Sequence, residues 1–234
     1  SGCQQCWARR LAEGRMKRFY PKGFGHVEYQ GKLLVDPMRW RKPRRIFVCS
    51  RSDFFHEDIP FENISWAWST MMTPDCAHHT FLVLTKRPKR MLEFLSWKWP
   101  FRGDTAGERM PPNIWLGVSV ENQATADERI PLLLETPAAK RFVSVEPMLS
   151  EIWITDYLNR CKRIKRQNPD GLGILYFAGD NLLSWVICGG ESGPHFRPMD
   201  LAWARSLRDQ CRATGTSFYM KQAAGPRPGM YDEL

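Results

Sequence analysis

Asn113-Ile-Trp-Leu-Gly-Val-Ser-Val-Glu121 and Arg141-Phe-Val-Ser-Val-Glu-Pro147 share the ending Ser-Val-Glu, and Glu146 follows Glu121 by 25 positions. Between them, residues 122–134 place Ala126, Ile130, Leu133 and Leu134 at helical spacing, with Asp127, Glu128 and Arg129 among them. The stretch reads as strand, helix, strand. An apolar strand that closes on a carboxylate at the same point of two successive units is the pattern of a parallel α/β sheet whose carboxyl ends face a site. Side chains alternate faces along a strand, so Gly117, Ser119 and Glu121 share one face, as do Phe142, Ser144 and Glu146, while Val118 and Val120 turn toward the covering helix. A surface salt bridge at each strand end is the plainer reading of the two glutamates.

Outward from this unit the same alternation continues. Strand signals begin near Ile46, Thr80, Ile114, Phe142, Trp185 and Ser217, and helical patterns cover 61–72, 89–97, 154–166 and 201–213. The last helix has Asp200 as its expected N-cap and Gly215 as its stop. Residues 7–19 hold good helix formers, which puts Cys6 at a helix N-terminus, and residues 24–35 read as a short hairpin or loop. Strand and helix alternate six times, which implies parallel strands with right-handed crossovers. Every strand ends in polar residues, rather than one pair at a switch point, so a partial or near-complete parallel (β/α) barrel is expected over an open doubly wound sheet. The whole of 1–234 is expected to be one domain, with an insertion at 154–181.

With 234 residues, 43% of them hydrophobic, the chain has material for one substantial core. A formal charge of +9 and a pI near 9.4 favour an anionic partner, nucleic acid first and a phosphorylated small molecule second. The densest basic runs are 39–45, which holds Trp40 as a stacking surface, and 160–166; a solvated face is the plainer reading of both. No apolar run reaches the ~20 residues of a membrane span. The seven cysteines are odd in number, and Cys49 and Cys188 lie in apolar runs where reduced thiols act as small core residues. A soluble, cytoplasmic protein without membrane contact is expected.

Several constellations can carry chemistry. Cys3-x-x-Cys6 is half of a zinc site, a redox pair or two incidental cysteines. Gly189-Gly190-Glu191-Ser-Gly193 follows a strand and has the look of a phosphate cradle, though it lacks a Lys-Ser/Thr pair, and a tight turn is the plainer reading. His78-His79 precedes a strand, at the stability-bearing amino end of a barrel, and reads as structural. Asp53, Lys86, Glu121, Glu146, Glu191 and Lys221 each fall just after a separate apolar run, so a parallel barrel would bring all of them to one face, and one shared cavity is expected there.

Longer motifs carry a resemblance. Cys-x-x-Cys-Trp-Ala-Arg, Arg-Trp-Arg-Lys-Pro-Arg-Arg-Ile-Phe-Val-Cys-Ser-Arg-Ser-Asp-Phe-Phe-His-Glu, Leu-Thr-Lys-Arg-Pro, Gly-Val-Ser-Val-Glu-Asn-Gln, Phe-Val-Ser-Val-Glu-Pro, Val-Ile-Cys-Gly-Gly-Glu-Ser-Gly and Met-Lys-Gln are similar to the phage-associated family of unknown function called gp thirty-seven/sixty-eight. The match spans Cys3 to about Gly225, apart from the expected insertion. That family in turn resembles radical S-adenosylmethionine enzymes, partial α/β barrels in which cysteines after the first strand hold a [4Fe–4S] cluster. By position, Cys3 and Cys6 match the second and third of those cysteines. The first cysteine and the strand before it are not in this chain, which implies an N-terminally incomplete sequence and a cluster one thiolate short of the set that leaves an iron open.

The resemblance implies reductive cleavage of S-adenosylmethionine and hydrogen abstraction from an unidentified substrate at the strand ends. Asp53, Lys86, Ser119, Glu121, Ser144, Glu146, Gly189, Gly190, Glu191 and Lys221 would line that site. Glu121, Glu146 and Glu191 would hold amino or hydroxyl groups, and Lys86 and Lys221 would hold carboxylate or phosphate groups; no catalytic residue is assigned. The rival expectation is a nucleic-acid-associated accessory protein without catalysis, acting through 39–45 and 160–166.

Overall fold

The computed structural model describes residues 6–29, 31, 34–98, 110–158 and 183–229. The apolar runs form β1 (Arg45–Val48), β2 (Thr80–Thr85), β3 (Ile114–Val120), β4 (Lys140–Val145), β5 (Trp185–Gly189) and β6 (Ser217–Gln222). All neighbours pair in parallel, in the spatial order β1-β2-β3-β4-β5-β6, and the sheet curls into a half-barrel. The doubled motif sits at its centre in matched register: Ser119 pairs with Ser144 and Val120 with Val145. Glu121 and Glu146 therefore leave neighbouring strands at the same level.

Helices α2 (Phe61–Met71), α3 (Pro88–Lys98), α4 (Gln123–Glu135) and α6 (Leu201–Thr214) run between the strands. The core lies between them and one face of the sheet. Val83, Leu116, Val118, Val120, Val143, Val145, Val186 and Cys188 pack there with Trp68, Phe94, Ile130 and Leu207. Burying each such Val, Leu, Ile or Phe contributes roughly 1.5–3 kcal/mol, which is why near-continuous apolar strands fit this architecture. The concave face carries a second, smaller cluster of Leu82, Phe142 and Ile187 with Leu84, Trp115 and Trp185 packed beside it. Gly117 makes room for it, since a Cβ there would lie 2.6 Å from the Phe142 ring.

Local signals place the helix ends. Asn122 accepts from Thr125 N at 3.0 Å while the Thr125 hydroxyl accepts from Asn122 N at 3.1 Å, a reciprocal cap that starts α4. Asp200 accepts from Ala202 N at 2.8 Å, and Gly215 ends α6 at φ 70°.

Near the start of the chain the expectation and the structure differ. Helix α1 (Trp7–Glu13) ends at Gly14, and a short 3-10 turn follows at Lys17–Phe19 in place of a helix through residue 19. Glycine is a poor helix residue, with the greatest conformational freedom to lose, and the chain turns there. The described part of 24–35 holds turns and no strand. After β4, helix α5 is described only as Thr155–Leu158. Cys3, the run 160–166 and most of the expected insertion lie outside the described residues.

Candidate functional site

The carboxyl ends of the strands gather the charged residues that the sequence singles out, but as matched ion pairs, each with its own partner. After β1, Asp53 Oδ1 accepts from Phe55 N at 2.9 Å and from the Thr85 hydroxyl at 2.7 Å, and Oδ2 accepts from Lys86 N at 3.0 Å. Arg87 pairs with the same carboxylate at 3.2 Å and with Glu57 at 2.8 Å. Asp53 thereby ties the loop after β1 to the end of β2, and its acceptor capacity is largely filled.

Glu121 is almost wholly buried, its side chain 4% exposed, and two cations compensate its charge. Lys86 donates to Oε1, and Arg129 of α4 reaches Oε2 at 3.2 Å while also donating to Ser119 O at 2.7 Å. A carboxylate out of water needs such partners, because an unpaired buried charge is far more costly than a paired one.

Glu146 lies on the concave side. Its Oε2 accepts from the Ser144 hydroxyl at 2.9 Å, its Oε1 pairs with Lys221 at 2.8 Å, and its backbone oxygen accepts from the Ser119 hydroxyl at 3.2 Å. The carboxylate passes directly over Gly189, where an added Cβ would stand 2.8 Å from Oε1. Lys221 is 52% exposed, so this pair faces solvent more than the others do.

Glu191, after β5, accepts from Arg197 N at 2.8 Å and Arg197 Nε at 3.1 Å. Burial alone would raise its carboxyl; the hydrogen bonds from Arg197, with the charges of Arg197 and Arg10, outweigh burial and hold it below the usual carboxylate range. Arg197 is itself raised, first through its bonds to Glu191 and last through the charge of Glu121, which puts the Glu121 and Glu191 pairs within electrostatic reach of one another.

Two backbone donors of the glycine loop are spent within the protein. Gly190 N donates to Gln222 O at 3.0 Å, Gly193 N donates to Gly225 O at 3.0 Å, and Gln222 returns a bond to Gly190 O at 3.0 Å. The loop is thereby joined to the end of β6 and to Gly225 beyond it. Helix α1 docks on this loop, with Arg10 donating to Ser192 O at 2.7 Å. Cys6 immediately precedes α1 and is half-buried, and α1 reaches this end of the half-barrel through Arg10. Cys188 beneath the same end is unsuited to thiolate chemistry: burial first, then the charges of Glu146 and Cys211, push it up to about 12.

Sequence reading missed Arg10, Arg129, Arg197 and Gln222 as members of this end. Gln222 carried a signal in its place beside Lys221. The arginines carried none: Arg10 and Arg129 come from helices and Arg197 from the same loop as Glu191, and all reach the site only through the fold. His79 is structural, as expected: it is buried, Arg44 N donates to its Nδ1 at 3.2 Å, and its Nε2 meets Pro37 O at 3.0 Å.

Among the described residues no group of three His, Cys, Asp or Glu is placed to hold a metal. The described structure thus gives one of the cluster thiols that the resemblance implies, Cys6. Cys6 is a ligand of the kind that such a cluster takes, and one of the set. No described helix is long and apolar enough to cross a membrane. One family, described as "Protein of unknown function (DUF5131)", matches residues 1–230. No curated protein and no solved structure matches the chain.

Proposed function

The chain belongs to this family of proteins of unknown function, and from the resemblance of its motifs we propose that it is a radical S-adenosylmethionine-like enzyme of phage or mobile-element origin. One observation carries the reading: Arg10 of α1, the helix that Cys6 opens, meets Ser192 at the end of the parallel half-barrel where Glu121, Glu146 and Lys221 are paired. Cys6 and Cys3 would hold a [4Fe–4S] cluster together with a further thiolate. The chemistry such a cluster supplies when bound is one-electron reduction of the sulfonium cofactor.

The other roles fall to this chain's residues. Glu146 and the Ser144 and Ser119 hydroxyls offer acceptors to an amino or hydroxyl group. Lys221, half exposed, is the cation best placed to swing from Glu146 to a ligand carboxylate. Glu121 and Glu191, already saturated by cations, hold the floor in position and fix the loops around it. The substrate would be held at the same strand ends, where hydrogen is abstracted.

The test is anaerobic reconstitution of the full natural protein with iron and sulfide, followed by dithionite and S-adenosylmethionine. The expected result is a broad visible sulfur-to-iron absorption and release of 5′-deoxyadenosine, both lost in Cys6→Ala. A protein that takes up no cluster under these conditions overturns the reading. The exposed run 39–45 favours a second reading, a nucleic-acid-associated protein without catalysis, whose binding would depend strongly on salt and little on Glu146 or Lys221.

A further inference from the structure

The concave face of the sheet is left half bare, and what it shows is aromatic. Phe47 on β1 is 42% exposed and Tyr219 on β6 is 48% exposed. Between them Trp115 and Trp185 are half-buried, their rings meeting edge to face at 6.4 Å, and Trp185 lies 6.4 Å from Tyr219. Trp115, Trp185 and Tyr219 form a run of rings over β3 to β6, and Phe47 stands at the same level on the opposite edge strand, across Leu82.

Cations stand among these rings. Arg45 shares the exposed face of β1 with Phe47, two residues on, while Ile46 and Val48 turn to the core. The Lys140 ammonium lies 4.6 Å from the Trp115 ring centroid. From Arg45 the exposed basic run continues back along the sheet edge. It is pinned there by His78, which meets Trp40 O at 2.8 Å, and by His79. Trp40 itself is not a free stacking surface, because the Arg44 guanidinium covers its ring at 4.4 Å.

Flat aromatic surfaces interleaved with exposed guanidinium and ammonium groups match one class of ligand, whose bases stack and whose backbone is anionic. A double helix keeps its bases stacked on one another and offers them no such face. We propose that the concave face binds single-stranded nucleic acid, with Phe47, Trp185 and Tyr219 as stacking surfaces and Lys140 and the run 39–45 as backbone contacts. This inference does not rest on the cluster reading, since it uses none of the paired charges of the mouth.

The experiment is fluorescence anisotropy with a labelled oligothymidine across a salt series, beside the same length of duplex. Phe47→Ala with Tyr219→Ala is expected to weaken single-strand binding by about tenfold or more, and Tyr219→Phe to preserve it. Glutamine at Arg39, Arg41, Lys42, Arg44 and Arg45 is expected to flatten the log-affinity against log-salt slope by about 0.7 for each phosphate no longer neutralised. Both aromatic positions are half exposed, so thermal melts of the alanine variants should stay near that of the parent and separate lost binding from lost folding. Absence of binding at low salt, duplex binding as tight as single-strand binding, or insensitivity to the alanines overturns the proposal. So does a concentration-dependent dimer, seen by light scattering and abolished by the same alanines, which would make this face a contact between copies.

Discussion

Two carboxylates at the mouth differ in what their loss would cost, and burial decides the difference. Glu191 is nearly buried and bonded three ways by Arg197, so Glu191→Gln leaves a guanidinium short of its counter-charge and is expected to lower stability by about 2 kcal/mol at pH 7 in urea unfolding. The folded carboxyl titrates below its unfolded counterpart. Its contribution is therefore complete above the unfolded carboxylate range, near pH 4.3, and fades as pH falls through the lower folded value. The difference between parent and Glu191→Gln should accordingly shrink on acidification, and a difference that grows below pH 4 would contradict this account. Glu146→Gln is expected to cost under about 1 kcal/mol, because its partner Lys221 is half in water. It is thus the variant with which to ask about ligands, since a fall in S-adenosylmethionine affinity by calorimetry could not be blamed on the fold.

Elements whose ends are set by adjacent residues were legible in the sequence. The starts of the six strands, the cap at Asp200 and the stop at Gly215 follow from hydrophobic runs and from side chains within a turn of the backbone they satisfy. The reciprocal cap of α4 is of the same kind, and Asn122→Ala is expected to lower the stability of the protein by about 1 kcal/mol, read as a lower midpoint in thermal unfolding. The site was legible only in part. That Glu121, Glu146 and Glu191 lie at one end follows from strand direction and parity. That each is neutralised by Lys86 and Arg129, Lys221 or Arg197 does not, because those pairings depend on how a helix or loop returns to the sheet. The glycine loop shows the same limit, since Gly190 N and Gly193 N donate to Gln222 O and Gly225 O, each 32 residues on. Buried Gln210 of α6 likewise donates to Ile152 O at 3.0 Å and accepts from Ile154 N at 2.7 Å, a brace that no local pattern announces.

Across the whole molecule the sheet has a protected centre and two exposed margins. Among the described residues, strands β3 and β4 have neighbours on both sides and nearly continuous burial, whereas β1 and β6 each have one neighbour and alternate between covered and bare residues. Native-state hydrogen exchange should therefore be slowest in Leu116–Val120 and Phe142–Val145 and fastest, among the strands, in β1. Equal protection across all six would show that the margins are covered in solution. The bare margin at β1 has a bearing on how the protein survives in crowded solution. An unpaired strand edge invites another chain to add to it, and short length, flanking proline and dense positive charge are what keep such edges apart. Strand β1 has four residues, Pro43 just ahead of it and a row of arginines leading in, so charge repulsion guards the edge most open to recruitment. Neutralising that row should make the protein prone to clump as it refolds, whatever the row also binds.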